Sequence, residues 1–370
     1  MILSEKDTLY AVDKINEAYG GINRIDDYFR MKKIERLKEI PPTLFGVSHE
    51  DSLFQDFSIH PEDMNFKIVQ PDHSTFNTLL ELVASFTYED APGKQMKLMI
   101  QETNTGKVVG FIKLGSPIIN SKPRNQWLGG VPDLTIFNKR AIMGFIIVPT
   151  QPFGFNYLGG KLLSLICSCH EVREMLNNKY DTEMCLFETT SLYGNIKGTS
   201  QYDGLKPYIR YRGDTESKFL LTLPDFIYHD LHKWFIQKND GEQLIRKGAS
   251  SRKLKIQTKM ISIIKNSLKE HHPVKYTEFV EFIKSRQDVT TQKRFYMSTY
   301  GFENSREVIL GNTDTLVKAE NYDRFSLDSI VSWWRKKASK RYENLKEDGR
   351  LRSKLETWNI NDMDSIDIIR

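Results

Sequence analysis

The chain has 370 residues, of which 39% are hydrophobic, 11% aromatic and 27% charged, a composition that supports a packed core and excludes a disordered or fibrous protein. No uninterrupted apolar run approaches the roughly 20 residues of a membrane helix, Met1 to Asp7 lack the n- and h-regions of a secretion signal, and three cysteines cannot frame a disulfide scaffold. A cytoplasmic protein with no membrane partner is therefore expected. The net charge of +5 is uneven: residues 231–360 hold 27 Lys and Arg against 16 Asp and Glu, while residues 1–230 are mildly acidic. A cationic C-terminal part suits either a polyanion partner or a solvated helical surface.

In chain order, Leu9, Val12, Ile15 and Ala18 follow helical spacing up to Gly20-Gly21, and Ile25 to Ile40 is a second amphipathic stretch ended by Pro41-Pro42. Residues 1–64 thus read as an N-terminal helical arm. Phe66 to Val69 predicts a short strand and Thr75 to Phe86 a helix. Lys97–Glu102 and Lys107–Leu114 read as a hairpin around Asn104-Thr105-Gly106. Ala141 to Val148 is a strongly apolar strand, followed by a Gly-rich turn, a helix from Lys161 to Asn178 and a strand at Glu183–Thr189. Phe219–Leu223 is expected to close this unit, which spans residues 65–225. That order predicts an α/β fold with a mixed β-sheet core flanked by helices. Residues 226–370 read as a basic helical extension, with helices at Phe226–Gln237, Leu254–Glu270, Tyr276–Arg286 and Leu327–Trp358.

The most informative stretch runs from Gly144 to Leu165, where a buried strand enters a turn rich in glycine and then a helix. Glycines let backbone N–H groups approach a ligand, and a helix N-terminus adds partial positive charge, so such a bend suits a pyrophosphate. The alternative is a plain strand–turn–helix that needs glycine for close packing. The Lys-Ser/Thr of a P-loop is missing and the spacing is not that of a dinucleotide fingerprint, which argues against nucleotide hydrolysis.

The bend resembles the coenzyme A loop of the GNAT acyltransferase superfamily, with Gln151 and Gly154 as its first two anchors. Asn156 stands where that family has a small residue, and Gly159 and Gly160 take over the close approach. The resemblance implies an acyl-coenzyme A cofactor held by Ile147, Val148, Gln151, Gly154, Asn156, Gly159 and Gly160. It also implies Tyr202, or Ser200 in its stead, as the acid that protonates a leaving thiolate, with Glu188 as the base that deprotonates an amine. Tyr202 packed against the turn and Glu188 as a plain surface carboxylate are the competing readings. Asp133 and Glu102 are further carboxylates for such a cleft if their segments are neighbours.

The run from Glu188-Thr189 through Gly198-Thr199-Ser200 to Arg210-Tyr211-Arg212 is also similar to the Druantia-A-type domain, over roughly residues 65–225. That domain is known from anti-phage systems and from some phage and transposase-associated proteins. A more distant likeness is to the Mom-type GNAT-like enzymes of phage, which modify DNA bases. Both imply a link to DNA in the setting of phage–host conflict, as a DNA-modifying enzyme or as a binding module that has lost the coenzyme. A structural or adaptor protein is a third class.

For nucleic acid, the strongest signal is Ser332 to Tyr342, with Trp334, Arg335, Lys336, Lys337, Lys340 and Arg341 on one helix-like run. Cations neutralise phosphates and exposed aromatics stack on bases; alternatively the tryptophans dock into the body and the cations are solvated. Arg246 to Lys259 is a second cationic patch, and Arg210 and Arg212 add to it from the core. No metal site is expected. Cys167, Cys169 and His170 fall on a predicted helix, where residues two apart diverge.

Overall fold

Among the described residues there are seven strands, most of them apolar runs punctuated by Gly and Pro, and capped amphipathic segments form helices between them. The computed structural model describes residues 1–39, 47–86, 93–192, 198–215, 221–245, 252–288 and 293–359. The N-terminal part holds α1 (Glu5–Tyr19), α2 (Ile25–Glu39) and α3 (Val47–Glu50), then β1 (Phe66–Val69) and α4 (His73–Val83). β2 (Gln95–Glu102), β3 (Val108–Gly115), α5 (Lys122–Leu128), α6 (Leu134–Arg140) and β4 (Ala141–Pro149) follow. Next come α7 (Phe153–Tyr157), α8 (Gly159–Ile166), α9 (His170–Tyr180), β5 (Leu186–Ser191) and β6 (Arg210–Asp214). The C-terminal part holds α10 (Asp225–Lys238), α11 (Arg252–His271), α12 (Pro273–Asp288), β7 (Arg294–Ser298), α13 (Ser305–Ile309) and α14 (Leu327–Glu347). Side-chain caps start several helices: Ser4 accepts from the Asp7 N–H, Asp72 from Thr75 and Ser326 from Ser329. Among the described residues no helix is long and apolar enough to cross a membrane.

The chain divides into two compact units, residues 1–39 with 217–291, and residues 40–216 with 292–370. The first is helical. Its Gln257 is buried and ties the segment after the chain enters this unit, accepting from the Leu223 N–H and donating to the Leu221 carbonyl and the Tyr19 hydroxyl.

The second unit is a mixed sheet in the order β1-β2-β3-β4-β5-β7-β6. β4 and β5 run parallel and every other neighbouring pair is antiparallel. β3 is buried along its whole length, as a strand covered on both faces must be. One face packs Leu98, Ile112 and Ile147 against Leu163 and Ile166 of α8 and Trp334 of α14. The other packs Met99, Phe111 and Ile146 against Phe76, Leu79 and Leu82 of α4.

The α/β character, the mixed sheet and most strands agree with the sequence expectation, and the division into domains differs. The N-terminal helices belong with residues 217–291 rather than forming an arm of their own. The basic C-terminal part is not one extension, because it contributes β7 to the sheet and α14 to the core. Leu221–Leu223 forms no strand, and Phe219 lies outside the described residues. The expected helix after the bend is two helices, α8 and α9, broken at Cys167–Cys169.

Candidate functional site

Among the described residues, the parallel pair β4–β5 organises the chemistry-bearing residues. β4 and β5 pair only over Ala141–Gly144 and Leu186–Thr189, after which β4 continues beside β3 and β5 beside β7. Diverging strands leave backbone groups without ladder partners, and such groups need others when buried. Thr189 Oγ1 donates to the Gly144 carbonyl at 3.0 Å, and Gln201 Nε2 reaches in from the loop after β5 to the Ile147 carbonyl at 3.2 Å.

The glycine-rich bend beyond β4 is a packed joint. The N–H of Gly154 goes to the Thr150 carbonyl at 2.8 Å, that of Phe155 to Gln151 Oε1 at 3.1 Å and that of Asn156 to the Pro152 carbonyl at 2.8 Å. Asn156 is fully buried, donating to the Arg352 carbonyl at 2.7 Å and accepting from the Arg352 N–H at 3.2 Å. A methyl group at Gly154 would meet Gln151 Nε2, one at Gly159 the Phe153 ring at 2.5 Å, and one at Gly160 Gln201 Oε1. Ile147 sits in the main core and Val148 against the α4 cluster. The structure therefore brings these residues together, with the Gly154, Phe155 and Asn156 N–H groups bonded inside the bend rather than turned towards a pyrophosphate. The glycines permit close packing, and α14 covers the joint: Trp334 Nε1 donates to the Tyr157 carbonyl and Arg341 Nε to that of Phe155, each at 2.8 Å.

Glu188 lies mid-sheet rather than on the surface. Its carboxylate is fully buried against Arg124 of α5, Nη1 to Oε1 at 3.1 Å. Arg124 also donates to the Ile118 and Ile119 carbonyls and lies 4.2 Å from the Phe137 ring centre. Burial pushes the Glu188 pKa up to about 7, opposed by the adjacent guanidinium. Successive strand residues point to opposite faces, so Glu188 faces α5 while Thr189 faces Tyr202. The expected base and acid thus stand on opposite faces of the sheet. Tyr202 is buried with its ring 5.1 Å from that of Tyr296, and burial pushes its phenol up to about 12, against hydrogen bonds with Thr189 and Gln201. Neither group is poised to act on a shared substrate. Of the other carboxylates, Glu102 accepts the Asn104 and Thr105 N–H groups of its hairpin turn, and Asp133 caps α6.

Ser200 belongs to a cluster that sequence reasoning missed. Asp203 Oδ2 accepts from the Ser200 N–H and from Arg294 Nη1, both at 2.9 Å, and Oδ1 accepts from the Tyr296 hydroxyl at 2.8 Å. Lys161 Nζ donates to the Asp203 carbonyl. Arg294 and Tyr296 come from β7, a five-residue strand with no strong sequence signal of its own.

The tail cations separate into two groups. Trp334 is fully buried, with its ring 5.1 Å from Phe66, and so offers no platform for a base. Arg335 donates to the Met64 carbonyl at 2.8 Å, and Arg341 lies over Phe155. These three hold α14 on the sheet. Lys336, Lys337 and Lys340 are exposed and form no ion pair with a described residue. On β6, Arg210 is exposed, and Arg212 is half-buried over Trp127. In the helical unit Lys255 and Lys259 are exposed, while residues 246–251 of that patch lie outside the described residues.

These features define a mixed α/β sheet protein whose glycine-rich bend is packed by its neighbours and whose α14 and β6 expose cations. The model of the family Druantia protein DruA matches residues 23–202, which supports a Druantia-A-type domain from α2 to the loop after β5. No curated protein and no solved structure matches the chain.

Proposed function

We propose that the sheet unit is a GNAT-like scaffold serving as a nucleic-acid-contacting module in anti-phage defence, without acyl-coenzyme A. The match to Druantia protein DruA supports the defence setting. The strand–bend–helix–strand order around the parallel β4–β5 pair supports the GNAT-like reading. The observation that carries nucleic-acid contact is the exposed stripe Lys336, Lys337 and Lys340 on α14, a helix held rigidly by its buried Trp334. Positions three and four apart share a helix face, and clustered cations on one face gain by releasing counterions from a phosphate backbone.

Fluorescence anisotropy with labelled duplex DNA over about 50 to 200 mM salt tests this. Affinity should fall steeply with salt, and neutralising the three lysines to Gln should reduce the log–log slope by roughly 2 to 3. Absence of binding at the low-salt end, or an unchanged slope in the triple variant, overturns the reading. Acetyl-coenzyme A should leave the melting temperature unchanged; an upward shift would return acyl transfer to the account.

A further inference from the structure

β3 pairs antiparallel with β2 and with β4, and β4 pairs parallel with β5, so the starts of β2, β4 and β5 lie at one end of the sheet. The segments that enter these strands are anchored to one another. The Lys94 N–H donates to Ser116 Oγ at 3.0 Å, and the Ser116 N–H to the Lys94 carbonyl at 3.3 Å. The Glu183 N–H donates to the Lys139 carbonyl at 3.3 Å and that of Cys185 to the Arg140 carbonyl at 2.8 Å, which seats the end of α6 beside the approach to β5. The Tyr180 hydroxyl accepts from the Gln95 N–H at 2.7 Å and fixes the end of α9 against β2.

Between these anchors lies an open cleft of about 440 Å³, lined by Lys94, Thr135, Asn138, Lys139 and Thr182, with Leu134 and Tyr180 as its less polar wall. That volume falls in the range of small-molecule sites, about 300–1,000 Å³. Lys94 is half-buried, and one of its three Nζ protons goes to the Asn138 carbonyl. Burial lowers its pKa, and no carboxylate among the described residues offsets that effect. Lys139 is exposed and forms no ion pair with a described residue. Of the neighbouring carboxylates, Asp133 caps α6, Glu183 pairs with Arg140, and Asp181 is exposed at the end of α9. An ammonium drawn part-way out of water without a counter-charge is stabilised by an incoming anion.

We infer that this cleft takes a small phosphate monoester with a body of nucleoside size, its phosphate between Lys94 and Lys139 and its body against Leu134 and Tyr180. Two ammonium groups match the charge of a monoester, about −1.5 to −2 at neutral pH, where a carboxylate or a backbone phosphodiester brings one. Leu134 is 43% exposed, an apolar side chain that a bare phosphate would leave in water and a larger body would cover. Contact between α14 and nucleic acid is not needed for this site, so either can fail without the other.

Isothermal titration calorimetry of the full chain with AMP, adenosine and inorganic phosphate tests the site. AMP should bind, and adenosine and inorganic phosphate should each bind about tenfold more weakly or worse. Lys94→Gln and Lys139→Gln should each weaken AMP binding about tenfold, and the exposed Lys139 variant should keep the melting temperature of the natural protein. Leu134→Ala should weaken AMP and leave inorganic phosphate unaffected. Lys336→Gln, on α14, should leave AMP affinity unchanged. Absence of binding at millimolar AMP overturns the inference, as does natural affinity in the variant that combines Lys94→Gln and Lys139→Gln. Inorganic phosphate bound as tightly as AMP overturns it too, because the body would then contribute nothing.

Discussion

Trp334 illustrates how one side chain changes the meaning of its neighbours. As an exposed ring among five cations it would be a base platform; as a buried ring bonded to the Tyr157 carbonyl it is the bolt that sets α14 on the sheet. Trp334→Ala should therefore cost about 3–5 kcal/mol of stability, read from urea unfolding. Glu188 makes a second prediction. Its folded-state pKa of about 7 stands above the ordinary 4.5, so between those values the folded state holds a proton that the unfolded chain has released. Stability contributed by this group is thus full below about pH 4.5 and lost as pH rises towards 7. Glu188→Gln keeps the neutral form at every pH, and its stability relative to the natural protein should improve between about pH 5 and pH 8. Urea midpoints at the two values decide it. A constant difference would mean that Arg124 keeps the carboxylate ionised throughout.

At the scale of elements, the bend between β4 and α8 shows why a glycine pattern has two readings. Glycine admits a phosphate or a neighbouring side chain for the same reason, the missing Cβ, and only the surroundings decide. Here Phe153 occupies the space at Gly159 and Gln201 that at Gly160. Gly159→Ala must move an aromatic ring in a packed site, with an expected loss of about 1–3 kcal/mol, seen as a lower thermal midpoint. An unchanged midpoint would mean that the bend has slack. Local pattern made several elements legible: β1 was expected at its observed bounds, Phe66 to Val69, and β4 within a residue. Both are bounded by turn residues, and β4 is a continuous apolar run. β7 was not legible, because its five residues follow a polar stretch and its partner β5 lies about a hundred residues earlier in the chain. α14 was legible as a helix, but its facing stayed open between exposed aromatics and tryptophans docked into the body. Ile330, Trp334, Ala338, Tyr342 and Leu345 form its buried stripe.

For the whole molecule, the path of the chain between units decides what a truncation means. The helical unit is assembled from residues 1–39 and 217–291, and it interrupts the sheet unit in sequence between β6 and β7. Composition could not reveal this, since the excess of Lys and Arg in residues 231–360 spans both units. A chain ending at residue 325 would thus not shed a basic tail. It would remove from the sheet unit a helix whose Ile330, Trp334, Ala338 and Tyr342 are buried in the main core. Because each unit has its own buried contacts, calorimetry of the full chain should depart from a single two-state transition. The truncated chain should lose the transition of the sheet unit and keep that of the helical unit, whose residues all remain. Survival of both transitions in the truncated chain would show α14 to be dispensable, and with it the claim that the Lys336, Lys337 and Lys340 stripe is presented on a rigid support.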